Sequence, residues 1–279
     1  MAKNKRPPKP KPASSHQKSP RRDHQSRPRP AKPSNAKPSK AASAPSNSHL
    51  YGHHAVQAAL ANPNRQNSHL LATSHALKSL EKSGISLSIP YDIGTSEEIG
   101  ASLPQGAVHQ GLALKTAPLP EPHLADACEN APLVVILDQV TDPHNVGAIL
   151  RSCAVFGAKA VIMTERHSPP QSGVLAKSAS GALEHVALVR VTNLARAMEE
   201  LKKMGFQLIG LDGEAETDLP DIDASPPVVL VMGAEGAGLR RLTRENCDWL
   251  AKLPAKGPLA SLNVSNAAAV ALYEVSKRL

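Results

Sequence analysis

The chain has 279 residues, a net charge of +8, 41% hydrophobic residues and three cysteines, Cys128, Cys153 and Cys247. This length suits one large domain or two modest ones. The cysteines form no CxxC pair and have no histidine at zinc-finger spacing, so we expect neither a disulfide scaffold nor a metal site, and we expect a cytoplasmic location. No apolar run approaches about 18 residues, and the basic N-terminus has no apolar segment, so neither a membrane span nor a secretory signal is expected.

The positive charge is concentrated at the N-terminus. Residues 1–48 contain 13 of the 32 Lys and Arg residues but one of the 24 acids, so this segment has a net charge of +12 and the rest has −4. It also holds ten prolines and no Leu, Ile, Val, Phe, Tyr or Trp. A segment without apolar surface cannot offset its ordering entropy, so residues 1–48 are predicted to be a disordered tail. The tail is either a polyelectrolyte arm that binds RNA phosphates or a solubilising segment without a specific partner.

Residues 49–117 predict a small α/β domain. In chain order, the periodicity predicts a helix near residues 55–60, a strand at 69–73, a helix at 76–84, a strand at 85–90, a helix from 95 and a strand at 111–116. Thr95 and Glu98 have the spacing of a capping box. Prolines at 118, 120, 122 and 132 then indicate a linker over residues 118–131.

Residues 132–279 predict a second, larger α/β domain. The segments 133–138 and 228–233 are continuous apolar runs, which are typical of strands buried on both faces. Further strands are predicted at 159–163, 186–191, 206–212 and 249–254, and helices at 144–156, 172–180, 192–204, 239–246 and 263–278. Strands that alternate with helices predict a parallel sheet covered on both sides.

The first of these strands ends in a polar turn before a helix, a place where ligands bind in open α/β sheets. Asp142 and Pro143 predict the turn, and Asn145 can either cap the helix or donate to a ligand. Gly147 allows the close approach of another backbone or of a ligand. From its spacing alone, Arg151 is better explained as a surface helix residue paired with an acid.

Two later strand ends have the same pattern. Residues 229–241 form a glycine-rich turn with Gly233 and Glu235 but without the sequence of a phosphate-binding loop. Glu235 would repel phosphate and suits hydroxyl or amine donors; alternatively, it is an acid favoured at a helix start. In the third segment, residues 253–274, Ser261 and Asn263 lie where the last helix begins, and either could simply be its N-cap.

Together, and in this order, the three segments resemble the signature motifs of the SpoU/TrmH branch of the SPOUT methyltransferases. The resemblance is dense over residues 132–279, including 191–198 and 233–248. Residues 51–60 and 106–114 also look like the RNA-binding N-terminal domain of the subgroup that methylates a guanosine ribose in 23S rRNA. The tail has no counterpart in that subgroup's pattern.

The resemblance implies a trefoil-knotted parallel sheet, a homodimer and S-adenosylmethionine (SAM) as cofactor. By motif position, it implies a cofactor pocket formed by Gly233, Leu253 and Leu262. It also implies five catalytic or substrate-positioning residues, which are Asn145, Arg151, Glu235, Ser261 and Asn263.

The family's activating group corresponds to Arg151, but a guanidinium titrates above ~12 and is a poor base. A more suitable role is to bind the adjacent RNA phosphate and to stabilise the developing alkoxide, with the proton passing to phosphate or water. In the front domain, His54, His109 and Gln110 are candidate RNA contacts; hydrogen bonding within a turn or the core is the alternative.

The predicted function is SAM-dependent methyl transfer to a ribose 2′-hydroxyl of RNA, with a guanosine of 23S rRNA as the favoured target. One alternative is a tRNA ribose methyltransferase, because the catalytic motifs barely separate rRNA from tRNA. Another is a non-catalytic RNA-binding or ribosome-assembly protein, against which the presence of all five motif residues counts. A nucleotide-binding oxidoreductase is disfavoured, because the first βα turn, DPHN, has no glycine fingerprint.

Overall fold

The computed structural model describes residues 48–258 and 261–279, which fold around two β-sheets. The predicted disordered tail lies outside the described residues except for Ser48. The first sheet contains the strands β1 (Ser48–Tyr51), β2 (Asn67–Ala72), β3 (Tyr91–Ile93) and β4 (Leu112–Thr116). Its helices are α1 (His53–Ala61), α2 (Ser74–Lys82) and α3 (Ser96–Ala101). The strand order is β1-β4-β2-β3, with β4 antiparallel to both neighbours and β3 parallel to β2.

Two local predictions for this sheet have different outcomes. The capping box is confirmed, because the Thr95 hydroxyl accepts from the Glu98 N–H while the Glu98 carboxylate accepts from the Thr95 N–H. The strand predicted at 85–90 is wrong, because β3 begins only after Pro90. The apolar residues at 85, 87 and 89 do pack against the core, so their alternation reports burial. Pro90 has no N–H to give to a β-ladder, which begins beyond it.

The second sheet has seven strands, which are β5 (Leu133–Asp138), β6 (Ala160–Thr164), β7 (Ala187–Val191), β8 (Gln207–Leu211), β9 (Thr217–Asp218), β10 (Val228–Gly233) and β11 (Trp249–Lys252). Their order is β7-β6-β5-β10-β8-β11-β9, and every pairing is parallel. The helices are α4 (Leu124–Cys128), α5 (Pro143–Phe156), α6 (Gly173–Ala179), α7 (Leu194–Lys203), α8 (Arg241–Glu245) and α9 (Val264–Ser276). The structure therefore confirms the predicted α/β fold with a parallel sheet.

The central strands β5 and β10 are buried on both faces, as their continuous apolar sequences predict. Alternate residues of both strands enter two separate hydrophobic clusters. Helices α5, α6 and α9 cover one face together with the first sheet, while α4 and α7 cover the other. No helix among residues 48–258 and 261–279 has the length and apolar character needed to cross a membrane.

Helix α5 begins and ends as its sequence predicts. Asp142 caps its N-terminus, Pro143 is its first residue, and Gly157 ends it in the left-handed conformation with φ of 81°. At Gly147, an added Cβ would lie 2.5 Å from the Ser178 Cβ and 2.7 Å from the Leu175 carbonyl oxygen. The glycine therefore allows α6 to pack directly on the α5 backbone, which confirms the predicted close approach.

A buried ion pair joins the first sheet to the second. Arg65, between α1 and β2, donates to Glu184 at 2.5 Å, and the two side chains are 2% and 3% exposed. Asn62 donates to the same carboxylate at 2.7 Å. Gly173, the first residue of α6, lies against β1, where an added Cβ would be 2.5 Å from the His49 carbonyl oxygen, and Gly181 lies against α1, where it would be 2.8 Å from the Ala58 Cβ. The linker composition of residues 118–131 thus coexists with close packing between the two sheets.

Replacing Arg65 with methionine is expected to lower the free energy of unfolding by about 3–5 kcal/mol, because Glu184 is left as a buried and uncompensated charge. The double variant Arg65→Met/Glu184→Leu should recover most of the loss, since it removes both charges. Urea denaturation of the three proteins measures the effect. A loss below about 1 kcal/mol for Arg65→Met would show that the pair is hydrated in solution.

Candidate active site

The candidate site lies at the carboxyl edge of the second sheet, where β5 and β10 end side by side. From β5 the chain proceeds outward through β6 and β7, and the later strands β8, β9 and β11 lie on the other side of β10. The pair β5–β10 is therefore the point at which the strand order reverses, where ligands bind in open α/β sheets.

Three of the predicted side chains meet at this edge. The Glu235 Oε1 atom accepts from the Asn145 Nδ2 atom at 3.2 Å and from the Asn263 Nδ2 atom at 2.5 Å. Asn263 also donates to the Asn145 Oδ1 atom at 3.1 Å. Asn145 lies on α5, Glu235 lies in the loop after β10, and Asn263 is the residue directly before α9. The three motifs, separate in sequence, therefore converge in one hydrogen-bonded cluster.

The cluster decides the alternatives that spacing had left open. Asn145 is not the cap of α5, because Asp142 accepts from the His144 N–H instead. Asn263 is the cap of α9, since its Oδ1 atom accepts from the Ser265 N–H at 2.8 Å, yet its Nδ2 atom also enters the cluster. Glu235 does not start the helix that follows it in sequence. It accepts instead from the Val264 N–H, at the positive end of α9.

The loop from Gly233 to Gly238 folds back over the end of β10. The Gly238 N–H donates to the Ala234 carbonyl at 2.9 Å, and Gly236 and Gly238 adopt φ values of 74° and 64°. A Cβ at Gly233 would lie 2.1 Å from the Gly238 carbonyl carbon. The glycines therefore let the loop close tightly. The closed loop fixes the backbone position of Glu235, from which its side chain reaches Asn145.

An ion pair that the sequence analysis missed anchors the far end of this loop. Asp138, the last residue of β5, is fully buried. Its two oxygens accept from the Arg240 Nε atom at 2.6 Å and from the Arg240 N–H at 3.0 Å. The sequence did contain a signal for this pair, because Asp138 ends an otherwise apolar strand and a buried charge requires a partner. Its partner lies 102 residues away and could not be named from spacing.

The predicted cofactor residues follow the same edge of the sheet. Gly233 ends β10, and Leu253 follows the last residue of β11 and is partly buried against the core. Leu262 precedes Asn263 and is 56% exposed. Because β10 and β11 run parallel, Gly233 and Leu253 lie at the same edge of the sheet, with β8 between their strands, and Leu262 adjoins Asn263 of the cluster.

Two predicted catalytic residues are not part of the cluster. Arg151 is exposed on α5 and forms no ion pair with the described acids, so the alternative of a pairing with an acid is not observed. Ser261 is also exposed, and it follows Leu259 and Ala260, which lie outside the described residues. The structure thus brings together Asn145, Glu235 and Asn263 but leaves Arg151 and Ser261 outside their hydrogen bonds.

The candidate RNA contacts of the first sheet lie near its junction with α6. Gln110 has φ of 54°, and its Oε1 atom accepts from the His53 N–H at 2.9 Å and from the Lys177 Nζ atom at 2.6 Å. The His109 Nδ1 atom accepts from the Gly111 N–H at 3.1 Å. The His54 side chain is exposed. Hydrogen bonding within the turn is therefore observed for His109, whereas Gln110 bonds to α1 and α6 and the His54 side chain is exposed.

Comparison with known proteins identifies the family. Residues 132–273 match the model of the SpoU rRNA Methylase family, which is just over half of the chain. The 23S rRNA (guanosine-2′-O-)-methyltransferase RlmB of Pseudomonas putida is 40% identical over 237 residues, 82% of this chain and 96% of that protein. The chain belongs to the SpoU rRNA methylase family. The RlmB of Vibrio vulnificus is likewise 40% identical over 250 residues, 84% of this chain and 98% of that protein.

The fold is also that of solved SpoU methyltransferases. The crystal structure of AviRb from Streptomyces viridochromogenes, in complex with the cofactor AdoMet, superimposes with a TM-score of 0.70 at 23% identity. The match covers 82% of this SpoU-family chain and 89% of AviRb. It therefore includes the first sheet as well as the parallel sheet of the family domain.

Proposed function

We propose that this SpoU-family chain transfers a methyl group from SAM to the ribose 2′-hydroxyl of a guanosine in 23S rRNA. The observation that supports this most is the cluster of Asn145, Glu235 and Asn263, one residue from each motif, at the switch point of the parallel sheet. The substrate follows from the relatives, which are named as 23S rRNA guanosine methyltransferases and match this chain over almost their whole length.

The residues at the sheet edge fit SAM. An adenine needs apolar walls and edge hydrogen bonds rather than charge, and Leu253 and the exposed Leu262 provide such walls. Gly233 and the backbone after β11 provide donors and acceptors at strand ends. When bound, SAM supplies a methyl group on a sulfonium, which is already an excellent leaving group. The chain's remaining tasks are to orient the ribose and to help remove one proton.

Glu235 and its two asparagine partners would orient the target nucleotide. Three N–H groups converge on the Oε1 atom of Glu235, which fixes the carboxylate in one orientation. A carboxylate held in this way accepts from hydroxyl or amine donors, both of which a guanosine offers. Ser261, directly before the Leu262–Asn263 segment, would add a hydroxyl to the same region.

Arg151 would bind the RNA phosphate next to the target ribose and stabilise negative charge on O2′ as its proton leaves. A guanidinium is a poor base, so the proton would pass to phosphate or water. The transition state gains more from such a fixed positive charge than the ground state does, which is the condition for a catalytic effect.

We also propose a trefoil knot in the parallel sheet and a homodimer, both of which follow from family membership. The dimer has independent support in an exposed apolar face formed by α5 and α9, which contains Val155, Val270 and Tyr273. Arg151 lies one helical turn before Val155 and hence on the same face of α5. A second copy on this face would lie beside Arg151, which is exposed in the single chain.

Replacing Tyr273 with glutamate is expected to shift the protein from dimer to monomer, because a charge would be buried in the apolar face. Tyr91, which is similarly exposed but on β3, offers a matched control. Sedimentation equilibrium should give a dimer mass for the wild type and Tyr91→Glu, and a monomer mass for Tyr273→Glu. Equal masses for all three proteins would remove this face as the interface.

The remaining parts of the chain have proposed roles as well. The first sheet, residues 49–117, would bind the RNA substrate, residues 118–131 would connect it to the methyltransferase domain at 132–279, and the tail would add non-specific affinity for RNA phosphates. We place the protein in the cytoplasm, where its three unpaired cysteines would stay reduced. Burial raises the pKa of Cys153 and Cys247 to about 12, so these thiols remain protonated.

Two assays test the proposed function. Isothermal titration should detect SAM binding, and methyl groups from labelled SAM should appear in transcribed 23S rRNA but not in a tRNA transcript. Absence of SAM binding would favour the non-catalytic RNA-binding alternative. Methylation of tRNA alone would favour the tRNA methyltransferase alternative.

A further inference from the structure

A lysine without an acidic partner lies at the junction of the two sheets. Lys177 is on α6, and its Nζ atom donates to the Gln110 Oε1 atom at 2.6 Å. It forms no ion pair with any acid in the described part of the chain. Partial burial lowers the pKa of Lys177 from its usual range, because it removes water from the ammonium. The ammonium therefore has a neutral partner and no carboxylate partner among the described residues.

The stem of Lys177 packs against Gly52, directly after β1. Gly52 has φ of 89°, and an added Cβ would lie 2.5 Å from the Lys177 Cδ atom and 2.7 Å from its Nζ atom. The lysine stem therefore lies directly against the Gly52 backbone. Gln110, in turn, holds its own amide against the His53 N–H at 2.9 Å, so the acceptor that orients the ammonium is itself fixed.

Arg65, another cation at this junction, has an acidic partner. Arg65 is fully buried, and the carboxylate of Glu184 neutralises it. Arg65 thus has the surroundings of a structural cation, whereas Lys177 has an amide oxygen and partial access to solvent. An amide oxygen orients an ammonium without cancelling its charge, and the ammonium has three donors, so others remain for a ligand.

The position of Lys177 relates it to the candidate active site. The next residue, Ser178, has its hydroxyl 3.1 Å from the His144 Nδ1 atom, and His144 precedes Asn145 of the cluster. Helices α5 and α6 are in direct contact at Gly147. Helix α6 therefore bonds to Gln110, before β4, through Lys177 and to the residue before Asn145 through Ser178.

We propose that Lys177 binds a backbone phosphate of the RNA between the part held by the first sheet and the nucleotide that is methylated. The proposal rests on the proposed function, because a polyanion that contacts both the first sheet and the Glu235 cluster has to pass this junction. A phosphate would give the Lys177 ammonium a negatively charged partner. Lys177 is then a substrate-binding residue that sets how far the RNA enters the site.

Salt dependence separates this role from a purely structural one. Each RNA phosphate contact contributes about 0.7–0.9 to the slope of log K against log salt. The variant Lys177→Gln should reduce the slope for transcribed 23S rRNA by that amount, and should weaken binding roughly tenfold near 50 mM salt. SAM affinity and the melting temperature should stay at wild-type values.

Two further variants serve as controls. Gln110→Ala removes the neutral partner of Lys177, itself a candidate RNA contact, so binding should weaken, but no charge is lost and the salt slope should stay near the wild-type value. Lys203→Gln removes a charge at the last residue of α7, at the opposite edge of the sheet, and should also keep the slope. If Lys177 only joined the two sheets, Gln110→Ala and Lys177→Gln would change stability alike and neither would change the slope.

An unchanged slope for Lys177→Gln, with methyl transfer intact, would overturn this proposal and leave the proposed function standing. Conversely, the wild type could transfer no methyl group while its salt slope still depends on Lys177. That result would support the phosphate contact and refute the proposed methyltransferase function.

Discussion

Replacing Arg151 with alanine is expected to abolish detectable methyl transfer, a loss of at least about 10²–10³-fold, while SAM affinity stays near the wild-type value. The loss follows if the guanidinium stabilises charge that develops on O2′, because that interaction is strongest in the transition state. SAM affinity should survive, since Arg151 is not part of the strand-end loops proposed to hold the cofactor. Arg151→Lys should fail too if two parallel hydrogen bonds to phosphate are needed.

The measurement is single-turnover transfer from labelled SAM to transcribed 23S rRNA, together with SAM titration of each variant. Arg196→Ala is a suitable control, because Arg196 is also exposed but lies on α7, which covers the opposite face of the sheet. Near-normal turnover by Arg151→Ala would exclude Arg151 from catalysis. A matching fall in melting temperature would instead assign the loss to folding.

The second large effect is expected at Gly233. An alanine there would place its Cβ 2.1 Å from the Gly238 carbonyl carbon, and a backbone atom cannot give way as a side chain can. The loop would have to open, which would shift Glu235 and the strand end proposed to hold SAM. At an overpacking cost of about 1–3 kcal/mol, SAM binding should weaken by roughly tenfold or more, and transfer should fall further.

Gly213 provides the matched control for this variant. It lies in the loop after β8, and an added Cβ would meet no atom within 4 Å. Gly213→Ala should therefore bind SAM like the wild type in isothermal titration, whereas Gly233→Ala should not. Equal affinities for the two variants would mean that the closed form of the loop is not needed for the cofactor.

Much of the fold was predictable because its strongest signals are local. The continuous apolar segments of β5 and β10 can be satisfied only inside a sheet covered on both faces, and the structure places them at its centre. Strand β3 was misplaced because alternating apolar residues also occur in a segment that packs without a ladder. Which residue begins the ladder depends on Pro90, a detail that periodicity alone does not resolve.

The site was predictable only in part, for a different reason. The meeting of Asn145, Glu235 and Asn263 was implied by the family motifs, but the dual use of Asn263 as helix cap and cluster member appears only in three dimensions. The Asp138–Arg240 and Arg65–Glu184 pairs join residues more than 100 positions apart. Single-sequence spacing contains no information on such pairings.

The most direct test is to map every 2′-O-methyl group in transcribed 23S rRNA after incubation with the protein and SAM. The expected result is one new 2′-O-methylguanosine that is absent when Arg151→Ala replaces the wild type. Methylation of a base, or no methylation at all, would contradict the proposed ribose chemistry. Ribose methylation with undiminished yield from Arg151→Ala would contradict the role of Arg151.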